Sequence, residues 1–353
     1  MKIYFYLLLG CFILSPISNV LSAKEQTYEG LSEFAKVIDL VERNYVDSVD
    51  SKELTTNAII GMLGSLDPYS VYLSSENFKE VEIGTSGEFG GIGVEITIKN
   101  GILTVITPIE EGPAEKAGIK AGDVILSIDG NDTQFFTTEK ASKVMRGAKG
   151  TTVELLILSE GDKDSRKINV TRDIIKVKSV SSKLIENQFG YIKLSQFSRN
   201  STDEFLGSYN ELKSKKGSEL KGLIIDLRNN PGGLLDQAIE LSNLFIDKGL
   251  IVSVRGRFNN TSREYFAEDN SKISNLPLVI LVNQGSASAS EVLAGALKDN
   301  RRAKIVGKTT FGKGSVQSII ELGDGTGIKI TTAKFYTASG KTISEVGITP
   351  DIV

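Results

Sequence analysis

Leu278-Val279-Ile280-Leu281-Val282-Asn283-Gln284-Gly285-Ser286-Ala287-Ser288-Ala289-Ser290-Glu291 carries an apolar run into a turn of small residues, and Val292–Lys298 continues it with helical periodicity. A strand that feeds a helix through a short turn is the repeating unit of a layered α/β domain. The same texture extends outward from this stretch. Gly190–Leu194 and Gly222–Leu227 read as strands, Thr202–Lys215 and Leu234–Asp247 as helices, and Ile328–Lys334 and Thr342–Ile348 as closing strands. A serine at such a junction has two readings. It caps the helix with its hydroxyl, or it stands at the positive helix end where the next N–H is free to stabilise an oxyanion.

Upstream of about Asp173 the pattern is different. Residues 28–82 place Leu31, Phe34, Val37, Ile38 and Val41, then Leu54, Ala58, Ile59 and Met62, at three-to-four spacing, which predicts helices broken at Leu66-Asp67-Pro68-Tyr69-Ser70. From Val94 to Arg172 the runs shorten: Val94–Ile98, Leu103–Ile106, Val124–Ile128 and Val153–Leu158 are separated by Gly-Asp and Asp-Gly turns, the signature of a small β-rich module. Glu88-Phe89-Gly90-Gly91-Ile92-Gly93 opens it with a glycine loop directly before a strand. Such a loop is a tight turn, or a nest of N–H groups that takes a carboxylate while the strand edge adds an extended peptide.

Composition removes several chemistries. The 353 residues are 40% hydrophobic and 24% charged with a net charge of −3, so no basic excess exists to hold nucleic acid or an anionic membrane. There is no His, no Trp and one Cys, Cys11, inside an apolar N-terminal segment. A histidine-based triad, a Cys–His protease and the usual zinc sites are therefore closed to this chain, and no cofactor or metal is expected. Lys2, the apolar Ile3–Ile17 and the small-residue end Leu21-Ser22-Ala23 fit a secretory signal over residues 1–23, which predicts a periplasmic or envelope location. An uncleaved membrane tether and acylation at Cys11 within Leu8-Leu9-Gly10-Cys11 stay open beside cleavage.

The second chemical stretch is Gly307-Lys308-Thr309-Thr310-Phe311-Gly312-Lys313-Gly314-Ser315-Val316-Gln317. It is not a phosphate-binding loop, because the required glycine is replaced by Arg302. Ser218-Glu219-Leu220-Lys221 lacks the companion motifs of a penicillin-binding site.

Gly112-Pro113-Ala114-Glu115-Lys116-Ala117-Gly118-Ile119, Ala121-Gly122-Asp123-Val124-Ile125 and Ile128-Asp129-Gly130 resemble the PDZ domain of bacterial proteases. That likeness implies capture of a partner's C-terminus through Gly91, Ile92 and Gly93. The serine-rich and lysine stretches resemble the carboxy-terminal processing (tail-specific) proteases, from about Phe34 to Val353. That family separates its catalytic serine and lysine by 25 residues, and 313 − 288 = 25 singles out Ser288 with Lys313 over Ser286 or Ser290. The resemblance implies that Gln317, one helical turn on, orients the lysine. It further implies that Ala289 and a glycine of Asp226-Leu227-Arg228-Asn229-Asn230-Pro231-Gly232-Gly233, Gly232 or Gly233, form the oxyanion hole. Arg146 matches a regulatory PDZ arginine that contacts the protease core when substrate is bound; a solvated surface arginine is the plain alternative.

The expected architecture is thus α+β multidomain: N-terminal helices over 28–86, a PDZ module over 87–172 and a crotonase-like α/β core over 173–353. Expected partners are polypeptides with apolar C-termini and, as a class, an envelope adaptor or activator; nucleic acid is not expected, and the oligomeric state is open. Three function classes meet here: a peptidase using Ser288, Lys313 and Gln317, a silent PDZ adaptor, and a thioester-acting relative of the crotonases.

Overall fold

The computed structural model describes residues 17–258, 261–268, 273 and 275–353, with side chains from Tyr28 onward. Cys11 and most of the apolar leader lie outside the described residues. The chain divides into two units, Met1–Tyr72 and Leu73–Val353. In the first, helix α1 (Ile17–Asn44) is followed by α2 (Ser51–Gly64), whose start is capped by Asp50 accepting from the Lys52 N–H at 2.7 Å. The break at Leu66–Ser70 is an Asx turn: Asp67 Oδ1 accepts from the Tyr69 and Ser70 amides at 2.8 and 2.9 Å. No helix among the described residues is long and apolar enough to cross a membrane.

A short strand β1 (Val71–Leu73) spans the junction, and the second unit continues with α3 (Ser75–Ser86), capped by Ser74 and closed by Gly87 at φ 72°. The β-rich module follows as β2 (Glu88–Gly91), β3 (Val94–Lys99), β4 (Ile102–Pro108), α4 (Pro113–Lys116), β5 (Val124–Ile128), β6 (Asn131–Asp132), α5 (Thr138–Met145), β7 (Thr152–Leu158), β8 (Arg166–Thr171) and β9 (Asp173–Lys176). Its sheet runs β3-β4-β5-β7-β8, all antiparallel, which leaves β3 as an edge. Period-two patterning drives it: Val153, Leu155 and Ile157 of β7 point into one core with Leu103, Ile125, Ala141 and Met145. The entry and exit strands, β2 and β9, pair as an antiparallel ribbon from Glu88↔Lys176 to Gly91↔Asp173.

The core domain contains β10 (Val180–Ile185), β11 (Phe189–Leu194), α6 (Ser201–Lys216), β12 (Gly222–Asp226), α7 (Leu235–Asn243), β13 (Leu250–Gly256), β14 (Arg263–Phe266), β15 (Leu278–Val282), α8 (Ala289–Asp299), β16 (Lys304–Gly307), β17 (Ser315–Glu321) and β18 (Gly327–Thr337). One sheet orders β10-β11-β12-β15-β16, parallel from β11 onward. A second, antiparallel sheet carries β14, β13, β18 and β17 in that order. Helix α8 packs against α7, β13, β16 and β18, and Ala289 through Leu297 are all buried. A helix apolar on every side belongs between layers. Phe205 and Phe245 meet edge-to-face at 5.9 Å beneath α6 and α7, each burying side-chain area worth about 2–3 kcal/mol.

Three expectations need correction. Thr342–Ile348 is not a strand; only Thr342 bridges Tyr336, and positive φ at Glu345 and Gly347 turns the chain back onto Thr310. Helix α7 ends at Asn243, where its last carbonyls are taken up by the tight turn at Leu244–Ile246. Gln317 lies on β17, not one helical turn past Lys313, because Ser315–Glu321 pairs antiparallel with β18 and sets Gln317 opposite Thr331.

Candidate active site

Parallel strands β12 and β15 lie side by side, with Asp226 opposite Leu281, so the loops leaving their carboxyl ends must pack on each other. They do so through paired amides: the Asn229 N–H donates to Asn283 Oδ1 at 2.9 Å, and Asn283 Nδ2 donates to Asn229 Oδ1 at 2.8 Å. Arg228 forks onto Asp226 at 2.9 and 2.7 Å while the Tyr191 hydroxyl donates to the same carboxylate at 2.5 Å. Burial pushes Asp226 up, but these donors outweigh it and hold the carboxyl below its ordinary range.

The three serines of the junction have different fates. Ser286 is fully buried; its Oγ donates to the Leu227 carbonyl at 2.8 Å and accepts from the Asn283 amide at 3.0 Å. Ser290 is also fully buried, donating to the Asn230 carbonyl at 3.0 Å. Ser288 is partly exposed at the N-cap of α8, with φ 54° and ψ −114°. That backbone conformation is costly for any residue with a Cβ and persists only when neighbours over-determine it. Here they do: the Ala287 N–H donates to Asn230 O at 3.0 Å, and the Ser288 N–H donates to Glu291 Oε2 at 2.8 Å. Ala289, the first residue of α8, has no acceptor for its amide within the helix.

Glu291 ties the two chemical stretches together. Fully buried, it also accepts from the Lys313 N–H at 2.9 Å through Oε2, and from the Gly312 N–H at 2.7 Å and the Thr310 hydroxyl at 2.6 Å through Oε1. Burial raises its pKa, and the four donors oppose that rise. Its role was legible in part, since Ser288-Ala289-Ser290-Glu291 fits a capping box; the reach to Thr310 and Lys313 was not. Lys313 is half-buried, and its pKa is lowered first by desolvation and then by the charge of Lys329, with Glu291 pulling the other way. Gln317 Nε2 donates to Ser315 Oγ at 2.7 Å, beside a bulge in β17.

The glycine pair is placed by close approach. A Cβ on Gly232 would fall 2.7 Å from Ala287 O and 2.8 Å from the Ser288 Cβ, and one on Gly233 would fall 2.1 Å from Phe197 O. The Gly232 amide is spent on Asn230 Oδ1 at 2.9 Å. Phe197 bridges the pair by donating to Gly232 O and accepting from the Leu234 amide, both at 2.9 Å, an arrangement in which the Gly233 amide takes no part. Asn230, fully buried, was not singled out from sequence, yet its amide spans Leu194 O and the Gly232 N–H while its carbonyl receives Ala287 and Ser290.

In the β-rich module, Ile92 and Gly93 turn their carbonyls inward to the Ala114 and Ile109 amides at 2.8 and 2.9 Å. Gly93 sits at φ 72°, beside the edge strand β3 and in line with α5, which packs on it. Gly91 ends the β2 ribbon. Arg146, the C-cap of α5, pairs with Glu80 of α3 and lies over the Phe89 ring at 4.8 Å, lining a cleft of about 890 Å³. It is therefore neither simply solvated nor, in this structure, engaged with the Ser288 loop.

A strained serine at a helix N-terminus, a partly desolvated lysine and a β-rich module with an open edge strand are features of a serine-type peptidase with a PDZ domain. Residues 188–353 match peptidase family S41, residues 104–159 a PDZ domain family, and residues 15–77 the activating protease CtpB N-terminal domain. The chain is 45% identical over 331 residues to a carboxy-terminal-processing protease of Bartonella bacilliformis, covering 94% of this chain and 76% of that protein. It is 37% identical to the carboxy-terminal processing protease CtpA of Bacillus subtilis, covering 100% and 77%. Among solved structures, the photosystem II D1 C-terminal processing protease matches at 33% identity and TM-score 0.51, covering 90% and 91%. The chain belongs to the carboxy-terminal processing protease family and is a serine-type peptidase.

Proposed function

We propose that this peptidase takes up the C-terminal tail of polypeptides in its PDZ groove and hydrolyses internal bonds with Ser288 as nucleophile and Lys313 as base. One observation carries the assignment: Ser286 and Ser290 are buried with their hydroxyls committed, whereas Ser288 stands partly exposed and strained at the α8 N-terminus. Neutral Lys313 accepts the Ser288 proton as Oγ bonds to the carbonyl carbon. The oxyanion is held by the N–H groups of Ala289 and Gly233, the second because the Gly232 amide is already spent. Collapse breaks the C–N bond, and the leaving amine takes the proton from Lys313. Water then attacks the acyl-enzyme, giving its proton to Lys313, and the acid leaves as Ser288 is restored. Gln317, itself held by Ser315, orients the lysine.

The tail adds to β3 as an extra strand, its carboxylate resting on the amides of the Gly91–Gly93 loop and its last side chain facing α5. Arg146 is the regulatory contact, passing from Glu80 toward the core when a tail is bound. Export by the N-terminal segment to the cell envelope, and an envelope adaptor or activator as partner, complete the proposal.

The test is to incubate the mature protein and its Ser288→Ala and Lys313→Ala variants with an unstructured polypeptide ending in apolar residues, following fragments by mass spectrometry. Internal cleavage by wild type alone is expected, with each variant reduced at least about 10³-fold. Binding without cleavage by wild type would return the chain to the adaptor class, and full activity of Lys313→Ala would remove the lysine from its role.

A further inference from the structure

The parallel sheet of the core domain has two unlike faces. Helices α6 and α8 pack against one, where Ile192, Ile225, Ile280 and Ile305 are fully buried. Register gives the other. Lys183, Tyr191, Ile224 and Val279 stand side by side across β10, β11, β12 and β15, and Lys193, Asp226 and Leu281 form the next row toward the carboxyl ends. A parallel sheet is ordinarily covered on both faces. Here Tyr191, Ile224, Val279 and Leu281 remain partly exposed, and Lys183 and Lys193 are exposed.

Charge on this face is unbalanced. The carboxylate in these rows, Asp226, is buried and spent on the Arg228 fork and the Tyr191 hydroxyl. That fork uses Nε and Nη2, so the half-exposed Arg228 is held rigidly with Nη1 on the far edge of its guanidinium. Lys183 lies over the Tyr191 ring at 5.2 Å, and neither it nor Lys193 forms an ion pair with another described residue. In a chain of net charge −3, three cations thus surround an apolar strip whose own carboxylate is already committed. The strip runs up to the active-site loops. Leu227 O accepts from Ser286 Oγ at 2.8 Å, the Asn229 N–H donates to Asn283 Oδ1 at 2.9 Å and the Ala287 N–H to Asn230 O at 3.0 Å, so the segment carrying Arg228 lies against the turn that carries Ser288. The crevice outside the carboxyl ends of such strands is where ligands lie in open α/β sheets.

We propose that this face is an exosite for an acidic stretch of the substrate polypeptide, its carboxylates on Arg228, Lys193 and Lys183 and its apolar side chains on Tyr191, Ile224 and Leu281. From Arg228 to Lys183 is about 16 Å by strand geometry, a span of about five extended residues. The inference rests on the peptidase reading and deepens it by naming a substrate class: unstructured chains in which Asp or Glu alternates with apolar residues near the cut bond. A second copy of the same face is a poor occupant, because it would set lysine against lysine.

The test uses the full chain and two unstructured polypeptides, identical except for a six-residue block beside the cut bond that alternates Glu with Leu in one and Gln with Leu in the other. Wild type is expected to favour the acidic polypeptide in kcat/KM by at least about fivefold at low ionic strength, with the preference shrinking as salt rises. Arg228→Gln would also release Asp226, so charge is removed at the exposed positions instead. Lys183→Gln with Lys193→Gln should bring the preference within about twofold, whereas Lys215→Gln with Lys216→Gln, which takes the same charge from the end of α6, should keep it. Equal loss in both double variants would reduce the effect to net charge, and no preference in wild type would remove the exosite. An acidic peptide added in trans should raise the KM of the acidic polypeptide. Lysine-dependent binding of that peptide without competition would give the face to a separate partner and overturn the substrate assignment. If wild type cleaves neither polypeptide the peptidase reading fails, and their relative affinities for Ser288→Ala, read by fluorescence anisotropy, still decide the exosite.

Discussion

In the proposed mechanism, Lys313 and Glu291 set the proton chemistry between them. With histidine absent, the proposed base is an amine that must be neutral to accept a proton, and desolvation lowers its pKa while the nearby Lys329 charge lowers it further. Activity is therefore expected above the folded pKa of Lys313 and lost as pH falls through it, with a midpoint below the ordinary lysine value. Lys329→Gln removes one cause of the depression, so the acid limb of the kcat profile should move to higher pH while its plateau is kept; an unmoved limb would show that burial alone sets it. Glu291 presents two acceptor oxygens to four donors. Glu291→Gln turns an NH2 group toward two of those donors, which should cost on the order of 2–4 kcal/mol by thermal unfolding and depress kcat more than KM.

At the scale of elements, the site is the meeting of two loops that leave adjacent parallel strands, and it tolerates no side chain between them. Gly232 takes φ 102° with Ala287 O and the Ser288 Cβ in the way of any Cβ. Gly232→Ala is expected to push the oxyanion loop off Ser288 and to lower kcat by about 10²-fold or more, the ordinary cost of a lost oxyanion donor, with KM changed far less. Equal kcat would place the oxyanion donors elsewhere. Helix α8 supplies the other half. Burial on every face fixes its axis, so the direction of its N-terminus is set by packing against both sheets and not by its capping residue.

Over the whole molecule, the β-rich module and the layered core have separate hydrophobic cores joined by paired strands, so on the proposed reading the free carboxylate of a substrate counts at a distance from the cut bond. Amidating the C-terminus of a long unstructured substrate should lower kcat/KM at least about tenfold, and the same amidation should leave unchanged the hydrolysis of a peptide too short to reach from the active site to the groove. Equal loss on both would mean that the tail is read at the active site itself. The N-terminal helices, the β-rich module and the layered core were legible in sequence because each rests on local periodicity: three-to-four spacing in α2, strict alternation in β7, an apolar run into small residues at β15. Ser288, Lys313 and Gly91–Gly93 were singled out as candidates by motif, but local sequence left the serine between a helix cap and a nucleophile and the glycines between a turn and a binding nest, and only the family's 25-residue spacing chose Ser288 with Lys313. Tertiary structure alone decided the rest. Which serine is left partly exposed, which glycine amide is spent on Asn230, that Gln317 rides a strand, and that Glu291, Arg172 and Gln196 fasten distant segments all depend on partners 2 to 112 positions away. Periodicity records which face of an element is buried; it carries no record of which other element covers that face.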